Sequence, residues 1–356
     1  MDFDTLTSEA TDLLCRLIET PRVSRDETAA ADLLCAELQR MGLQPQRHAN
    51  NLWCTAAPID AARPTLLLNA HIDTVRPAQG WQRYPHKATL EGDLLYGLGS
   101  NDDGASLVSL IQVFRLLGKG TQPYNLILLA SAEEEVSGKN GIESVLPMLP
   151  HIDVALVGEP TGMQPAVAEK GLMVLDVTEH GKSGHAARNE GDNALYHAID
   201  DIQWLRSYRF PLESPTLGPV KMTATIINAG TQHNVIPDTC TFTIDVRSNE
   251  LYSNHEIYNL ISESMHGDVA ARSFRLNSSR ISLGHPLVQR AVALGRQPFG
   301  SPTLSDQALL LCPSMKMGPG ESSRSHTADE FIRLSEIREA IELYYQLLNG
   351  LTIARD

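Results

Sequence analysis

The chain has 356 residues, of which 43 are Asp or Glu and 29 are Lys or Arg, so its formal net charge at neutral pH is −14. This acidic balance argues against nucleic acid as a partner, because basic patches bind a phosphate backbone, and against a polybasic membrane anchor. Hydrophobic residues make up 42% of the chain, which is typical of a folded globular protein, and the length favours two domains.

Signals for secretion or membrane insertion are not found in the sequence. No apolar run approaches the roughly 20 residues that a helix needs to span a bilayer. The first residues, Met1-Asp2-Phe3-Asp4, lack the basic-then-apolar pattern of a secretory signal. The five cysteines are scattered and never occur in a CxxC spacing, which argues against a disulfide framework or a thiolate zinc site. We therefore expect a cytoplasmic protein with free thiols.

The first part of the chain alternates helices with short apolar strands. Leucines at helical spacing predict a first helix that Pro21 ends, and a second helix that opens at Ser24 with Glu27 completing a capping box. Buried-type strands are expected over residues 51–56, 65–69, 125–130 and 154–157. A Gly-rich stretch over residues 92–104 leads into a further helix. This alternation predicts an α/β layer with a mostly parallel sheet.

The pattern changes after about residue 161. The strands between residues 172 and 247 alternate apolar and polar side chains, and one long helix is expected over residues 194–208, which indicates an α+β domain with an open sheet. The chain ends with an amphipathic helix predicted over residues 335–348. We therefore predict that an α+β domain, residues 168–279, is inserted into an α/β domain formed by residues 1–167 and 280–356.

Two acidic motifs adjoin predicted strand ends. His71-Ile72-Asp73 follows an apolar strand, and the carboxylate there would accept the second imidazole N–H and so orient a metal-ligating histidine. A surface ion pair explains this motif equally well. Asp102 and Asp103 follow a Gly-rich loop and precede a helix, so simple capping of that helix is the alternative explanation for them.

Three adjacent carboxylates, Glu133-Glu134-Glu135, directly follow a buried strand. Like charges there need a cation or a retained proton, and a base beside a metal-bound water would meet both demands. Glu159 follows the next strand, and His326 lies in a late Gly/Pro loop. The candidate ligands are N and O donors without cysteine, a set that suits zinc or a similar divalent ion in an open catalytic site; they are His71, Asp102, Glu135, Glu159 and His326.

The order of these motifs resembles that of the M20 metallopeptidase family, and within it the acetylornithine deacetylase and succinyl-diaminopimelate desuccinylase group. The resemblance extends over essentially the whole chain. It rests on residues 69–75, 97–102, 133–136, 158–161, 181–187, 234–238 and 245–247, together with the late His326.

The resemblance implies a fold and a set of residue roles. It implies a zinc-exopeptidase-like α/β catalytic domain with an inserted α+β lid domain that forms a homodimer. Asp102 would bridge two divalent metal ions, zinc first, with cobalt or manganese as alternatives. His71 and Glu159 would complete one metal site, and Glu135 and His326 the other.

The same resemblance implies catalytic and substrate-binding roles. Glu134 would be the general base, and Asp73 would orient His71. His185 would stabilise the oxyanion, from the same or the partner subunit. The residues that would bind the substrate carboxylate or oxyanion region are Asn234 and Arg247, with Arg324 as a further candidate.

The sequence departs from the family pattern without losing a ligand or the base. Ala70 stands where glycine is usual and Leu98 where arginine is usual, Asp103-Gly104 replaces Met-Lys, Glu133 replaces aspartate, and Arg188 replaces or displaces a proline. These departures leave the subfamily open.

The implied reaction is hydrolysis of an N-acyl amino acid, a small molecule, to a free amino acid and a carboxylate. N-acylornithine or N-acylcitrulline of arginine biosynthesis is the first expectation, with acetyl or succinyl as the acyl group. Succinyl-diaminopimelate desuccinylase and M20 dipeptidase or carboxypeptidase activities are the alternatives. A catalytically silent metal-binding scaffold is the alternative outside the enzymes, and the intact base and ligand set argues against it.

Overall fold

A computed structural model describes residues 2–188 and 190–355 of the chain. The chain forms two compact units. Unit 1 comprises Met1–Val167, Ile281–Phe299 and Ser305–Asp356, and unit 2 comprises Ala168–Arg280 and Gly300–Leu304. The predicted role of residues 168–279 as a lid and dimerisation domain stays a prediction.

The helices and strands of the described residues are numbered here in chain order. Helices α1 to α8 are Phe3–Ile18, Thr28–Arg40, Ala105–Leu117, Ile142–Val145, Ala194–Ser207, Asn254–Ser264, Pro286–Ala293 and Leu334–Leu348. Strands β1 to β18 are Gln46–His48, Asn51–Thr55, Thr65–His71, Thr89–Glu91, Leu94–Tyr96, Asn125–Ser131, Val154–Val157, Ala166–Glu169, Met173–His180, Gly184–His185, Lys221–Ala229, Val235–Ile236, Thr239–Arg247, Asp268–Ala271, Ser279–Arg280, Phe299–Ser301, Ser314–Lys316 and Phe331–Arg333.

The main sheet of unit 1 has a parallel centre and antiparallel flanks. Its strand order is β1-β2-β6-β3-β7-β17-β8, and β6, β3, β7 and β17 run parallel. Strand β2 is antiparallel to β6, and β8 is antiparallel to β17. The sheet is therefore mixed rather than mostly parallel, because short connections such as that between β7 and β8 contain no crossover helix and reverse the chain direction.

Both faces of this sheet are covered, which explains the continuous apolar strands. Every residue of β3 is buried, with Leu66 and Leu68 in the core that α1, α3 and α8 share, and Leu67 in a second core beside α4. Parallel strands covered on both faces are expected to read as uninterrupted apolar runs. The carboxyl ends of β3, β6 and β7 then meet at one edge of the sheet, where open α/β sheets place their sites.

Unit 2 contains a four-stranded antiparallel sheet of order β11-β13-β9-β14. Burial alternates along β9, and its inward residues Leu175 and Val177 form a core with α5 and α6. A separate two-stranded ribbon pairs β10 with β12. The expected helix over residues 194–208 is confirmed as α5, whereas α6 was not predicted from the sequence.

One predicted helix start is wrong. Helix α2 begins at Thr28, and its N-cap residue Glu27 makes no side-chain capping hydrogen bond. The Ser24 hydroxyl donates instead to Asp73 Oδ2 at 2.7 Å, and Glu27 accepts a hydrogen bond from the backbone N–H of Glu133 at 3.1 Å. The side chains of Ser24 and Glu27 therefore form hydrogen bonds with loops at the edge of the sheet and do not cap the helix.

Across residues 2–188 and 190–355, none of the helices combines the length and the apolar character that crossing a bilayer requires. All five cysteines are free thiols, as the sequence predicts.

Candidate metal centre and active site

The sheet edge collects the predicted ligands because each follows a neighbouring strand or lies in a loop beside it. His71 is the last residue of β3, the Glu134–Glu135 turn follows β6, and Glu159 follows β7. Asp102 lies in the turn that leads into α3, and His326 lies in the loop between β17 and β18. The peptide bond between Asp102 and Asp103 is cis.

The ring of His71 is held so that Nε2 faces the acidic residues. Its Nδ1 lies 3.0 Å from the backbone carbonyl oxygen of Asp73. A carbonyl oxygen only accepts, so Nδ1 carries the hydrogen and Nε2 is left as the electron-pair donor. Nε2 lies 3.2 Å from Asp102 Oδ1 and 3.8 Å from Glu134 Oε2. This is the tautomer that a metal-ligating histidine needs.

The carboxylate of Asp73 organises the turn that carries the glutamates. Asp73 Oδ1 accepts the backbone N–H of Glu134 at 3.1 Å, and Oδ2 accepts that of Glu135 at 3.2 Å. Oδ1 also lies 3.5 Å from His71 Nδ1. The predicted contact between Asp73 and His71 is thus made mainly through the Asp73 main chain, while its side chain positions the next loop.

Asp102 lies between two histidines. Its Oδ1 faces His71, and its Oδ2 lies 3.6 Å from Nε2 of His326. His326 Nε2 is also 2.9 Å from Glu135 Oε2. The two oxygens of one carboxylate therefore face two different sets of ligands, which is the geometry that bridging two cations requires.

The donor atoms fit divalent metal ions. His71, Glu134 and Glu159 each offer an atom within 4.8 Å of the others, and so do His71, Asp102 and Glu135. The donors are imidazole nitrogens and carboxylate oxygens, a set that suits zinc, cobalt or manganese. The structure therefore brings all five predicted ligands and Glu134 to one edge of the sheet.

Burial and mutual repulsion perturb the carboxylates. Burial raises the pKa of Glu134 well above its usual range, and Glu159 and Asp306 reinforce the shift. Burial also raises the pKa of Glu159, and Asp102 adds repulsion. Burial opposes the charged form of His71, but Asp102 and Asp73 outweigh it and raise its pKa. A divalent cation among these groups would favour the ionised carboxylates and the neutral imidazole.

Two buried residues that sequence reasoning missed hold the Asp102 turn. Glu330 accepts the backbone N–H groups of Gly99, Asn101 and Asp102 at 2.9, 2.8 and 2.9 Å. The guanidinium of Arg22, only 1% exposed, donates to the carbonyl oxygens of Ile72 and Gly99, each at 2.8 Å. Burial together with Asp102 raises the pKa of Glu330 to about 7.

Asp306 is a third buried residue that the sequence did not reveal. It accepts hydrogen bonds from Asn69 Nδ2 at 2.9 Å and from the Ser131 hydroxyl at 2.6 Å. Burial raises its pKa to about 6. Its only sequence signal is a Ser-Asp pair in a loop, which is too common to single out.

Glu133, the first of the three adjacent glutamates, is used differently from the other two. Its carboxylate accepts a hydrogen bond from Asn140 Nδ2 at 3.0 Å, and its backbone adopts φ +54°. The left-handed backbone of Glu133 turns the chain so that Glu134 and Glu135 approach the histidines of the candidate site.

Two of the predicted substrate-site residues share the ribbon of unit 2. His185 is exposed and pairs with Val235 in β10–β12, and the N–H of Ala186 donates to the carbonyl oxygen of Asn234 at 3.0 Å. Nδ1 of His185 accepts the N–H of Ala187 at 3.1 Å, so Nε2 carries the ring hydrogen in the neutral form.

The two predicted arginines are both engaged in ion pairs. Arg247, at the end of β13, donates to Asp245 at 2.8 and 3.1 Å. Both terminal nitrogens of Arg324 donate to Glu336, at 2.7 and 3.0 Å, and its guanidinium lies over the Phe331 ring. The fork of N–H groups of Arg324 is thus paired with Glu336, as that of Arg247 is with Asp245, and the substrate-binding role of each stays a prediction.

Comparison with known proteins agrees with this description of the fold. The model of peptidase family M20/M25/M40 matches residues 67–350. The acetylornithine deacetylase of Proteus mirabilis is 26% identical, with 96% of this chain and 97% of the relative covered. That of Klebsiella pneumoniae is 28% identical, with 94% and 95% covered.

Solved structures share the fold at lower identity. An aminopeptidase from Bacillus cereus matches with a TM-score of 0.76 at 18% identity, covering 97% of this chain and 98% of that one. A dinuclear metal-binding peptidase from Bacillus subtilis matches with a TM-score of 0.72 at 16% identity, covering 98% and 100%. The fold and the ligand set define a metal-dependent hydrolase. The chain belongs to peptidase family M20/M25/M40.

Proposed function

We propose that the chain hydrolyses the amide bond of an N-acyl amino acid, using Glu134 as the general base beside two divalent metal ions. The observation that carries this proposal is the position of Glu134: its carboxylate lies 3.8 Å from His71 Nε2, within a group of metal-ligating atoms, and burial raises its pKa. A general base must lie within reach of the attacking water, and a water held by a cation among these atoms would lie beside Glu134.

We assign the ligands from the contacts of Asp102. Asp102 would be shared by the two ions, His71 and Glu159 would complete one site, and Glu135 and His326 would complete the other. Support comes from the 3.2 and 3.6 Å approaches of the two Asp102 oxygens to the two histidines. Zinc is the metal we expect, with cobalt or manganese as alternatives. Bound there, the ions would supply Lewis-acid polarisation of the acyl carbonyl and lower the pKa of a water.

The remaining steps belong to the residues of this chain. Asp73 fixes the turn through the N–H groups of Glu134 and Glu135, so the Glu134 carboxylate keeps one position. Glu134 takes a proton from the attacking water and then delivers it to the leaving amine nitrogen. His185, through the hydrogen on Nε2, stabilises the oxyanion, with Asn234 beside it and Arg247 binding the substrate carboxylate.

The names of the relatives support the proposed substrate class. Those of 26–28% identity over nearly the whole chain are named acetylornithine deacetylase. We therefore propose N-acylornithine or N-acylcitrulline as the substrate, in arginine biosynthesis in the cytoplasm. We also propose a homodimer that forms through unit 2.

Acyl release from a panel of substrates tests the reaction. The panel is N-acetylornithine, N-acetylcitrulline, their N-succinyl counterparts, succinyl-diaminopimelate and a dipeptide, each with and without chelator, with metal content measured on the same sample. We expect turnover of an ornithine or citrulline derivative that chelator abolishes. Bound metal with turnover of the dipeptide alone would overturn the proposed substrate class.

The role of Glu134 is tested by Glu134→Gln, which keeps the shape and removes the base. We expect metal content to be retained and kcat to fall by about 10³-fold. Glu342→Gln, on the exposed face of α8, is the matched control and should leave kcat unchanged. Loss of metal from Glu134→Gln with activity remaining would contradict the assignment.

A further inference from the structure

Unit 1 has a cavity of about 550 Å³ whose lining includes Pro160, the residue that follows the candidate ligand Glu159. One wall is the turn that follows β7, including Pro160 and Thr161, and another is the segment that ends at Phe299. Glu321 and Ser322 form a third wall. Unlike the apolar hollow of about 460 Å³ around Leu149 and Leu311, this cavity mixes apolar walls with polar groups.

The walls of this cavity continue directly into the ligand loops. Pro160 follows Glu159, and Thr161 forms a β-bridge with Glu321. Asn101, the residue before Asp102, accepts the N–H of Glu321 at 3.0 Å and donates through Nδ2 to its carbonyl oxygen at 3.1 Å. The walls of the cavity are therefore formed by the same stretches of backbone that carry the candidate ligands Glu159 and Asp102.

Most polar groups in the cavity are satisfied within the protein. The Thr161 hydroxyl accepts the N–H of Gly318 at 3.1 Å. The Gln164 side chain accepts the N–H of Gln297 at 2.8 Å and donates to the carbonyl oxygen of Gly162 at 3.3 Å. These groups have little capacity left to orient a ligand.

Glu321 is the exception. Its side chain is exposed, and it forms no ion pair with any residue in the ranges 2–188 and 190–355. Its carboxylate lies against Gly162, where an added Cβ would come 3.0 Å from Oε1. Within those ranges, no lysine or arginine lines the cavity. One unpaired negative charge therefore stands among the rings of Pro160, Pro298 and Phe299.

We propose that this cavity binds the side chain of the substrate and that Glu321 selects an aliphatic side chain ending in a cation, as in ornithine or lysine, over a neutral one such as citrulline. The inference rests on the proposed function and adds the specificity-determining residue to it. The apolar rings contact the methylene groups and the Phe299 face favours a cation, while the carboxylate pairs with the terminal charge. A ligand ending in a carboxylate is repelled.

The test compares N-acetylornithine with N-acetylcitrulline, which differ at the side-chain terminus, on the metal-loaded protein. We expect the wild type to favour the ornithine derivative and Glu321→Gln to lower the ratio of the two kcat/KM values about tenfold, mainly through KM. Glu321→Asp keeps the charge and should restore part of the ratio. Glu19→Gln makes the same charge change outside the cavity and should leave the ratio unaltered.

Two outcomes distinguish a failure of the proposed role of Glu321 from a failure of the proposed reaction. If the wild type hydrolyses both substrates and Glu321→Gln leaves the ratio intact, the role of Glu321 is refuted while the reaction stands. If only the N-succinyl derivatives are hydrolysed, the same ratio is measured on them. If no ornithine or citrulline derivative of the panel is hydrolysed, the proposed reaction fails, and calorimetric binding of free ornithine and citrulline then decides on Glu321. Preferential binding of ornithine that Glu321→Gln abolishes supports its role, and equal binding of the two refutes it.

Discussion

At the residue scale, the site depends on buried groups that touch the ligands only through the backbone. Glu330 accepts three N–H groups from the turn that ends at Asp102. An ionised carboxylate offers about four acceptor positions, so one side chain can satisfy all three donors. Arg22 holds the carbonyl oxygens of two loops in the same way. These contacts fix where the Asp102 carboxylate lies before any metal binds.

Replacing Glu330 by Gln should loosen this turn, because the amide offers one oxygen and turns its NH₂ group toward a backbone donor. We expect the free energy of unfolding of the chelated protein to fall by about 2 kcal/mol and metal affinity to fall about tenfold or more. Urea unfolding and a metal titration measure the two effects. Glu339→Gln, at an exposed ion pair on α8, is the control. Unchanged metal affinity in Glu330→Gln would show that the turn is held by other contacts.

The candidate ligands could be proposed from the sequence, but the residues that support them could not, for a physical reason. His71, Glu135 and Glu159 follow apolar strands directly, and parallel strands bring their carboxyl ends together at one edge. Glu330 reaches a backbone N–H 228 residues away, at Asp102, and no spacing in the sequence encodes such a contact. The ion pair of Arg324 with Glu336 is likewise a tertiary contact that a motif does not report.

At the element scale, two Ser-x-x-Glu patterns of this chain, at Ser24 and Ser253, have opposite outcomes. Ser253 and Glu256 form a true capping box at α6, with the Ser253 N–H donating to Glu256 at 2.7 Å and the Glu256 N–H to the Ser253 hydroxyl at 3.2 Å. Ser24 and Glu27 have the same spacing, but Arg25 between them adopts φ +73°, which is incompatible with a helix. Local pattern therefore predicts a helix start only where no stronger tertiary partner competes for the side chains.

Unit 2 contains a pair of buried carboxyl groups that joins β9 to α5. Glu179 is 1% exposed on β9, and burial together with Asp201 of α5 raises its pKa to about 7, whereas His197 and His266 oppose the shift. Asp201 accepts the N–H of His266 at 2.8 Å and faces His266 Nδ1 at 2.7 Å. These contacts from His266 hold the Asp201 carboxyl group in place beside Glu179.

The pH dependence of stability follows from this pair. In the unfolded chain Glu179 ionises near pH 4.5, whereas in the folded unit it keeps its proton to about pH 7. The folded state therefore binds more protons between these values, so the contribution of Glu179 to stability is present below pH 4.5 and is lost as pH rises to 7. Glu179→Gln removes the ionisation, and we expect its stability relative to the wild type to be greater at pH 8 than at pH 5.

Urea unfolding of both proteins at the two pH values measures this difference. Glu263→Gln on exposed α6 surface is the control for loss of one negative charge in the same unit. A difference between Glu179→Gln and the wild type that is the same at pH 5 and pH 8 would refute the shift.

At the scale of the whole molecule, the division into two units determines which part of the chain a bound metal stabilises. Unit 1 has its own cores around β3 and α3, and unit 2 has a separate core around β9 and α5. The buried carboxylates of the metal centre all belong to unit 1. Without a cation, their mutual repulsion destabilises that unit alone.

We therefore expect metal to stabilise one of two thermal transitions. A ligand present at 1,000 times its Kd stabilises the state that binds it by about 4.1 kcal/mol, which for a unit of this size raises Tm by roughly 8–16 °C. Differential scanning calorimetry with chelator and with zinc should show the transition of unit 1 move by that amount and that of unit 2 stay in place. The variant Glu179→Gln assigns the second transition, since it should shift only that one. A single transition that moves as a whole would show that the two cores unfold together and that the metal centre stabilises the entire chain.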